Sequence, residues 1–134
     1  MWSPLHVSDA EVLVEQAVAT WRRHQDILLY LLDEIPRGGL AAVPSESRGR
    51  DVSRQFAHLH RVRLGWVHHH EHGGKPDLPR YTEGKGPTKR ELRKMLRSSG
   101  KIVEDFLGRA LRGEATVKKF GHDPFRFLGY LIAH

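Results

Sequence analysis

The chain of 134 residues contains no cysteine. Disulfides, thiolate metal centres and cysteine nucleophiles are therefore excluded. Apolar runs are short as well. None approaches the roughly 20 residues that cross a bilayer, and the opening M-W-S-P-L-H has neither the charged nor the apolar region of a signal peptide. The expectation is a soluble cytoplasmic protein with no membrane partner. There is no Gly-rich phosphate loop, no G-x-S-x-G, no paired-carboxylate motif and no H-E-x-x-H. What remains for chemistry is chiefly histidine, present ten times, in a chain of formal net charge +6. Such a charge favours anionic partners, whether nucleic acid, acidic metabolite or phosphate. Length places residues 1–134 in a single domain with enough chain to bury a core.

The residues that are present divide into helical segments. Ser8-Asp9-Ala10-Glu11 has the pattern of a capping box and opens a helix in which Ala17, Trp21, His24, Leu28, Leu31 and Ile35 recur at three- and four-residue steps. Pro36 and Gly38-Gly39 stop it. The connection over residues 36–50 is long for neighbouring antiparallel helices, which usually need about 2–8 residues, and it suits a crossover. A second helix runs from about Asp51, as N-cap, to about His70, with Val52, Phe56, Leu59, Val62, Trp66 and Val67 on one face. Gly and Pro density marks residues 68–87 as a loop. Its His68, His69, His70, Glu71 and His72 are either a metal-chelating cluster or an adventitious one.

Thr88 to Glu91 is a second capping box, opening a third helix with Leu92, Met95, Leu96, Ile102, Val103, Phe106, Leu107 and Leu111 as its apolar face. Ser98-Ser99-Gly100 is a weak centre, and Arg90, Arg93, Lys94, Arg97 and Lys101 form a basic stripe, read as a solvated face or an anion-binding one. After a connection over residues 112–123, Asp123-Pro124 begins a fourth helix carrying Phe125, Phe127, Leu128, Leu131 and Ile132. That helix has no capping glycine, no basic last turn and no polar tail, so it is expected to be truncated at His134.

His58 and His60 lie on opposite flanks of the second helix, about 200° apart at 100° per residue, so they cannot serve one site. Each is a satisfied core histidine, a metal ligand or a proton carrier. His58 and His134, distant in sequence, can meet across a helical core. Neutral imidazoles from neighbouring helices suit zinc, nickel or iron, although catalytic zinc normally has three protein ligands.

Three stretches, R-Q-F-A-H-L-H-R-V-R-L-G-W-V, T-K-R-E-L-R-K-M-L-R-S-S-G-K-I-V-E-D-F-L and K-K-F-G-H-D-P-F-R-F-L-G-Y-L-I-A-H, together resemble the DinB-like superfamily of damage-inducible helical proteins over most of residues 8–134. The resemblance implies an all-α four-helix bundle with a long crossover connection. It also implies a three-histidine metal site, in which His58 matches the ligand from the second helix and His134 the first of two, four residues apart, from the last. The third would fall four positions after His134, where this chain has no residue. Further implied are a divalent metal (zinc, nickel or iron), a low-molecular-weight thiol such as bacillithiol or mycothiol, and an electrophile that receives it. The function implied is a metal-dependent thiol S-transferase, or an inactive relative lacking the third ligand. Arg61 and Arg63 are then candidates to pair with cofactor carboxylates, or are solvated helix charges. The rival reading is a basic helical nucleic-acid-binding or DNA-damage-response protein without catalysis. A third is a site-less bundle that acts as a homodimer or partner surface.

Overall fold

The structure, a computed structural model, describes residues 8–43 and 49–134. The lead-in over residues 1–7 and the middle of the 36–50 connection lie outside the described residues. Within them the chain forms α1 (Asp9–Glu34), α2 (Val52–His72), α3 (Lys89–Leu111) and α4 (Pro124–Ala133), with short 3₁₀ turns at Gly39–Ala41 and Phe120–His122. No strand occurs among the described residues, so the all-α expectation holds. No described helix is long and apolar enough to cross a membrane.

Each helix begins where a short polar side chain can take up a free backbone N–H. Ser8 accepts from Glu11 N–H at 3.2 Å, Asp51 from Arg54 N–H at 2.9 Å, and Asp123 from Phe125 N–H at 2.9 Å, with Pro124 following as the first helical residue. Thr88 and Glu91 form a complete capping box. At α1 the Glu11 carboxylate is engaged by Arg112 from the far end of α3, at 2.9 Å.

Helix α3 is central and packs against both α1 and α2. Gly100, poor for helix propensity, lies at the contact of α3 with α1, and Ser99 beside it meets Arg63 of α2. Trp21 Nε1 donates to the Gly100 carbonyl at 2.9 Å, and a Cβ on Gly100 would stand 2.5 Å from the Gln25 side-chain amide. Small residues here let the two helices approach.

Two registers differ from the sequence expectation. In α1 it is Leu32 that is fully buried, while Leu31 is 52% exposed. In α2 the deepest residues are Ser53, Ala57, Arg63, Val67 and His70, whereas Val52, Phe56, Leu59, Val62 and Trp66 are half-buried. The polar and small side of α2 faces α3, with Ser53 Oγ donating to the Pro87 carbonyl at 2.6 Å. The helix also runs two residues past its expected end at His70. Gly73, at φ 77°, closes it, so His68 to His72 form its last turn and not a loop.

The core has two parts. One is aromatic and built from α1, α2, α3, α4 and the loop before α4: Trp21, Val67, Val103, Phe106, Leu107, Val117, Phe127, Leu128 and Leu131. The other is aliphatic and uses only α1, α2 and α3: Leu28, Leu32, Ala57, Leu92 and Leu96. The turn into α4 is left-handed throughout, with φ of 58°, 65° and 60° at Phe120, Gly121 and His122. For the two non-glycine residues this costs on the order of 1–3 kcal/mol each. Packing of the Phe120 ring against Trp66 and Tyr130, with centroids 5.0 and 4.9 Å away, holds the turn. His122 Nδ1, 2.8 Å from the Val117 carbonyl, adds a local hydrogen bond.

Candidate functional site

The side of α2 turned away from α3 carries His58, Val62, Trp66 and His69, and these form the floor of a cavity of about 630 Å³. Residues 74–78, Arg80 and Tyr81 make the opposite wall. Arg61 ties that wall down, its Nη1 donating to the carbonyls of Leu78 at 2.9 Å and Pro79 at 2.6 Å. The lining is strongly basic. Arg50, Arg54, Arg61, Lys75, Arg80 and Lys119 contribute cations, and Asp77 the one carboxylate. Arg54 is partly offset by Asp51, 3.4 Å away. A cavity of this size, with an apolar floor and convergent charges, is in the range that takes small molecules.

At one edge of this cavity two helices bring imidazoles together. His58 Nε2 and His134 Nε2 are 3.4 Å apart, with ring centroids at 5.4 Å. The short α4 places His134 there, its backbone N–H bonded to the Tyr130 carbonyl at 2.9 Å. Partial burial holds the His58 imidazole below its usual range, and the charge of Arg50, the His134 ring and the charge of Arg61 push the same way. A neutral imidazole is the form that can act as a metal donor. His134 also borders a second cavity, of about 230 Å³, whose wall includes His24 and Arg63.

Two nitrogen donors about 2.0–2.1 Å from a tetrahedral zinc ion stand about 3.3–3.4 Å apart. The His58–His134 separation fits one edge of such a site. Among the described residues no group of three or more His, Cys, Asp or Glu side chains is placed to hold a metal.

The other candidates are dispersed. His60 turns toward the Met95 backbone of α3, and burial keeps its imidazole below the usual range. His24 tilts against Trp21 at 5.2 Å. The His68–His72 run is spread around the last turn of α2, with His69 on the cavity floor. His70 is in the core, stacked on Phe106 at 5.4 Å and edge-on to Phe127 at 4.6 Å. Its Nδ1 accepts the Lys118 N–H at 3.0 Å, which leaves the ring proton on Nε2. Burial, with His69 and Lys118 nearby, pulls the His70 pKa down to about 4.

Arg61 and Arg63 do not share a surface. Arg61 lines the large cavity, while Arg63 is only 3% exposed and lies on the other side of α2 between α1 and α3. Its reading as a solvated charge is therefore corrected. Sequence reasoning missed Arg50, Arg54, Lys75, Arg80 and Lys119. The available signal was the density of cations on both sides of α2 and in the Gly/Pro-rich loop after it.

Comparison with protein-family models, with curated proteins and with solved structures finds no match for this chain.

Proposed function

We propose that the chain is a DinB-like four-helix bundle of the metal-dependent thiol S-transferase type. His58 and His134 would hold a divalent ion (zinc, nickel or iron), and the basic cavity beside them would take a low-molecular-weight thiol that carries carboxylates. The observation behind this reading is the 3.4 Å approach of two imidazoles from different helices at the edge of a cationic cavity. Only two protein donors are grouped there among the described residues, one fewer than catalytic zinc usually has. A divalent ion would supply thiolate at neutral pH by lowering the pKa of a thiol. The protein's own contribution is placement. Neutral His58 offers a donor nitrogen, Arg50, Arg80 and Lys119 attract carboxylates, and Val62 and Trp66 give the body of the cofactor an apolar floor.

Isothermal titration with zinc, nickel and iron(II) tests the reading. Binding near one ion per chain is expected, lost in His58→Ala and retained in His60→Ala, whose ring faces α3. A metal-dependent transfer of bacillithiol to a chromogenic electrophile is expected alongside. No ion uptake, or uptake that survives His58→Ala, removes this reading.

The excess of cations in the large cavity favours one rival, a non-catalytic nucleic-acid binder. Its signature is a steep fall of affinity with salt, because neutralised phosphates release counterions. The basic stripe of α3 adds less than the sequence suggests: Arg93 is engaged by Asp33 and Lys101 by Glu104.

A further inference from the structure

The outer face of α1 carries a seam that the fold leaves uncovered. Arg23, Ile27, Tyr30 and Glu34 follow one another at steps of four, three and four residues, and all four are exposed. At 100° per residue they fall within about 60° of one another around the helix. This is the spacing by which one helix packs along another. Leu31 widens the apolar part of the seam. Ile27, Tyr30 and Leu31 are 51%, 62% and 52% exposed, whereas Trp21, Leu28 and Leu32 on the inner face are buried. Single apolar side chains at a surface are ordinary, but adjoining large ones mark a place where something docks.

The charges at the two ends of the seam say what docks. Among the described residues neither Arg23 nor Glu34 takes part in an ion pair. Other charges of α1 do: Arg22 meets Glu104, Asp33 meets Arg93 and Glu11 meets Arg112, all on or next to α3. Arg23 and Glu34 cannot satisfy each other within one chain, because eleven residues of helix separate them by roughly 16 Å. The 4-3-4 spacing reads the same from either end. A second copy of α1 laid antiparallel therefore falls into register. Arg23 then stands opposite Glu34 of that copy, and Ile27 opposite its Tyr30. The two-fold axis repeats both contacts, as an isologous interface requires. A parallel copy would instead set arginine against arginine and glutamate against glutamate, which is unfavourable.

We infer that the outer face of α1 is a homodimer interface, in which two copies pair antiparallel through Arg23, Ile27, Tyr30 and Glu34. The overlap is three helical turns, short against standard interfaces, so the dimer is reversible and dissociates on the order of 10–100 µM. The charged layers set direction and register, and the central Ile–Tyr layers supply the apolar contact. The interface does not depend on an ion at His58 and His134 or on the large basic cavity.

Sedimentation equilibrium of the full chain over a range of concentrations tests the inference. The average mass is expected to rise from one chain toward two. Ile27→Glu, at an exposed position that the core does not use, should leave the helical circular dichroism unchanged and keep the chain monomeric. Arg23→Glu places a carboxylate opposite Glu34 twice per dimer and should weaken association about tenfold, as should Glu34→Arg. The double variant Arg23→Glu/Glu34→Arg should restore it. His58→Ala should leave association unchanged while abolishing ion uptake, so this inference and the proposed function fail separately. A chain that stays monomeric at all concentrations overturns the inference, as does a dimer that survives Ile27→Glu. A double variant no tighter than either single one overturns the antiparallel pairing.

Discussion

The two halves of the core are built on different terms. The aromatic half draws on every helix and on the strained turn before α4, and it buries a histidine among four aromatic rings. The aliphatic half buries only Leu and Ala side chains, all from α1, α2 and α3. The imidazole pair joins His58 on α2 to His134 at the end of α4. The aromatic half therefore controls where His134 goes, while the aliphatic half mainly holds three helices together. The position of the His134 imidazole is thus coupled to packing more tightly at one end of the molecule than at the other.

The largest expected effect comes from breaking the aromatic half. Phe106 is fully buried, stacked on His70 and edge-on to Phe127 at 5.8 Å. Phe106→Ala should cost about 3–5 kcal/mol in urea unfolding and speed hydrogen exchange in α4 well beyond the global loss. Leu92→Ala, in the aliphatic half, should cost about 2–4 kcal/mol and slow or speed nothing in α4 selectively. Equal exchange patterns in the two variants would show that the halves are a single unit.

A smaller effect separates the halves by pH. His70 is neutral in the fold, with its pKa near 4, against an ordinary value near 6.5. Between those values the unfolded chain binds more protons, so stability is complete above about pH 6.5 and falls as pH drops toward 4. Protonating Nδ1 would also break the bond from Lys118 N–H. His70→Asn keeps an acceptor near Nδ1 but cannot titrate, and its unfolding midpoint should fall less steeply across that window. Some slope should remain, because His24, His58 and His60 are also held below their ordinary values by burial. An unchanged slope would place the acid sensitivity outside the aromatic half.

The smallest effect is expected at the surface of the aliphatic half. Asp33 on α1 meets Arg93 on α3, and both side chains are partly exposed, at 42% and 39%. Solvent screening and side-chain entropy limit such a pair to about 0–1 kcal/mol. Asp33→Asn should therefore shift the unfolding midpoint only slightly, and less in high salt. A loss as large as that of Leu92→Ala would mean that the pair sets the α1–α3 register.

What the sequence by itself determined was where helices start. Ser8, Asp51, Thr88 and Asp123 bond to backbone N–H groups within three residues, so their role is local and readable without any partner. The ends and rotations of helices were less readable. The apolar set Val52, Phe56, Leu59, Val62 and Trp66 defines a stripe, yet α2 has neighbours on more than one side: Val62 and Trp66 line the large cavity, Phe56 and Leu59 pack on the aliphatic core, and Ser53, Ala57 and Arg63 are the buried positions. Only the tertiary structure decided that Arg63 would be buried, because its partners Trp21, Leu96 and Ser99 come from two other helices. The same holds for the large cavity, whose wall after α2 is anchored by Arg61 through carbonyls 17 and 18 residues away. It holds also for the 3.4 Å between His58 and His134, 76 residues apart in the chain. Periodicity assigns a side chain to a helix face, but the distance between two faces depends on packing contributed by every other helix.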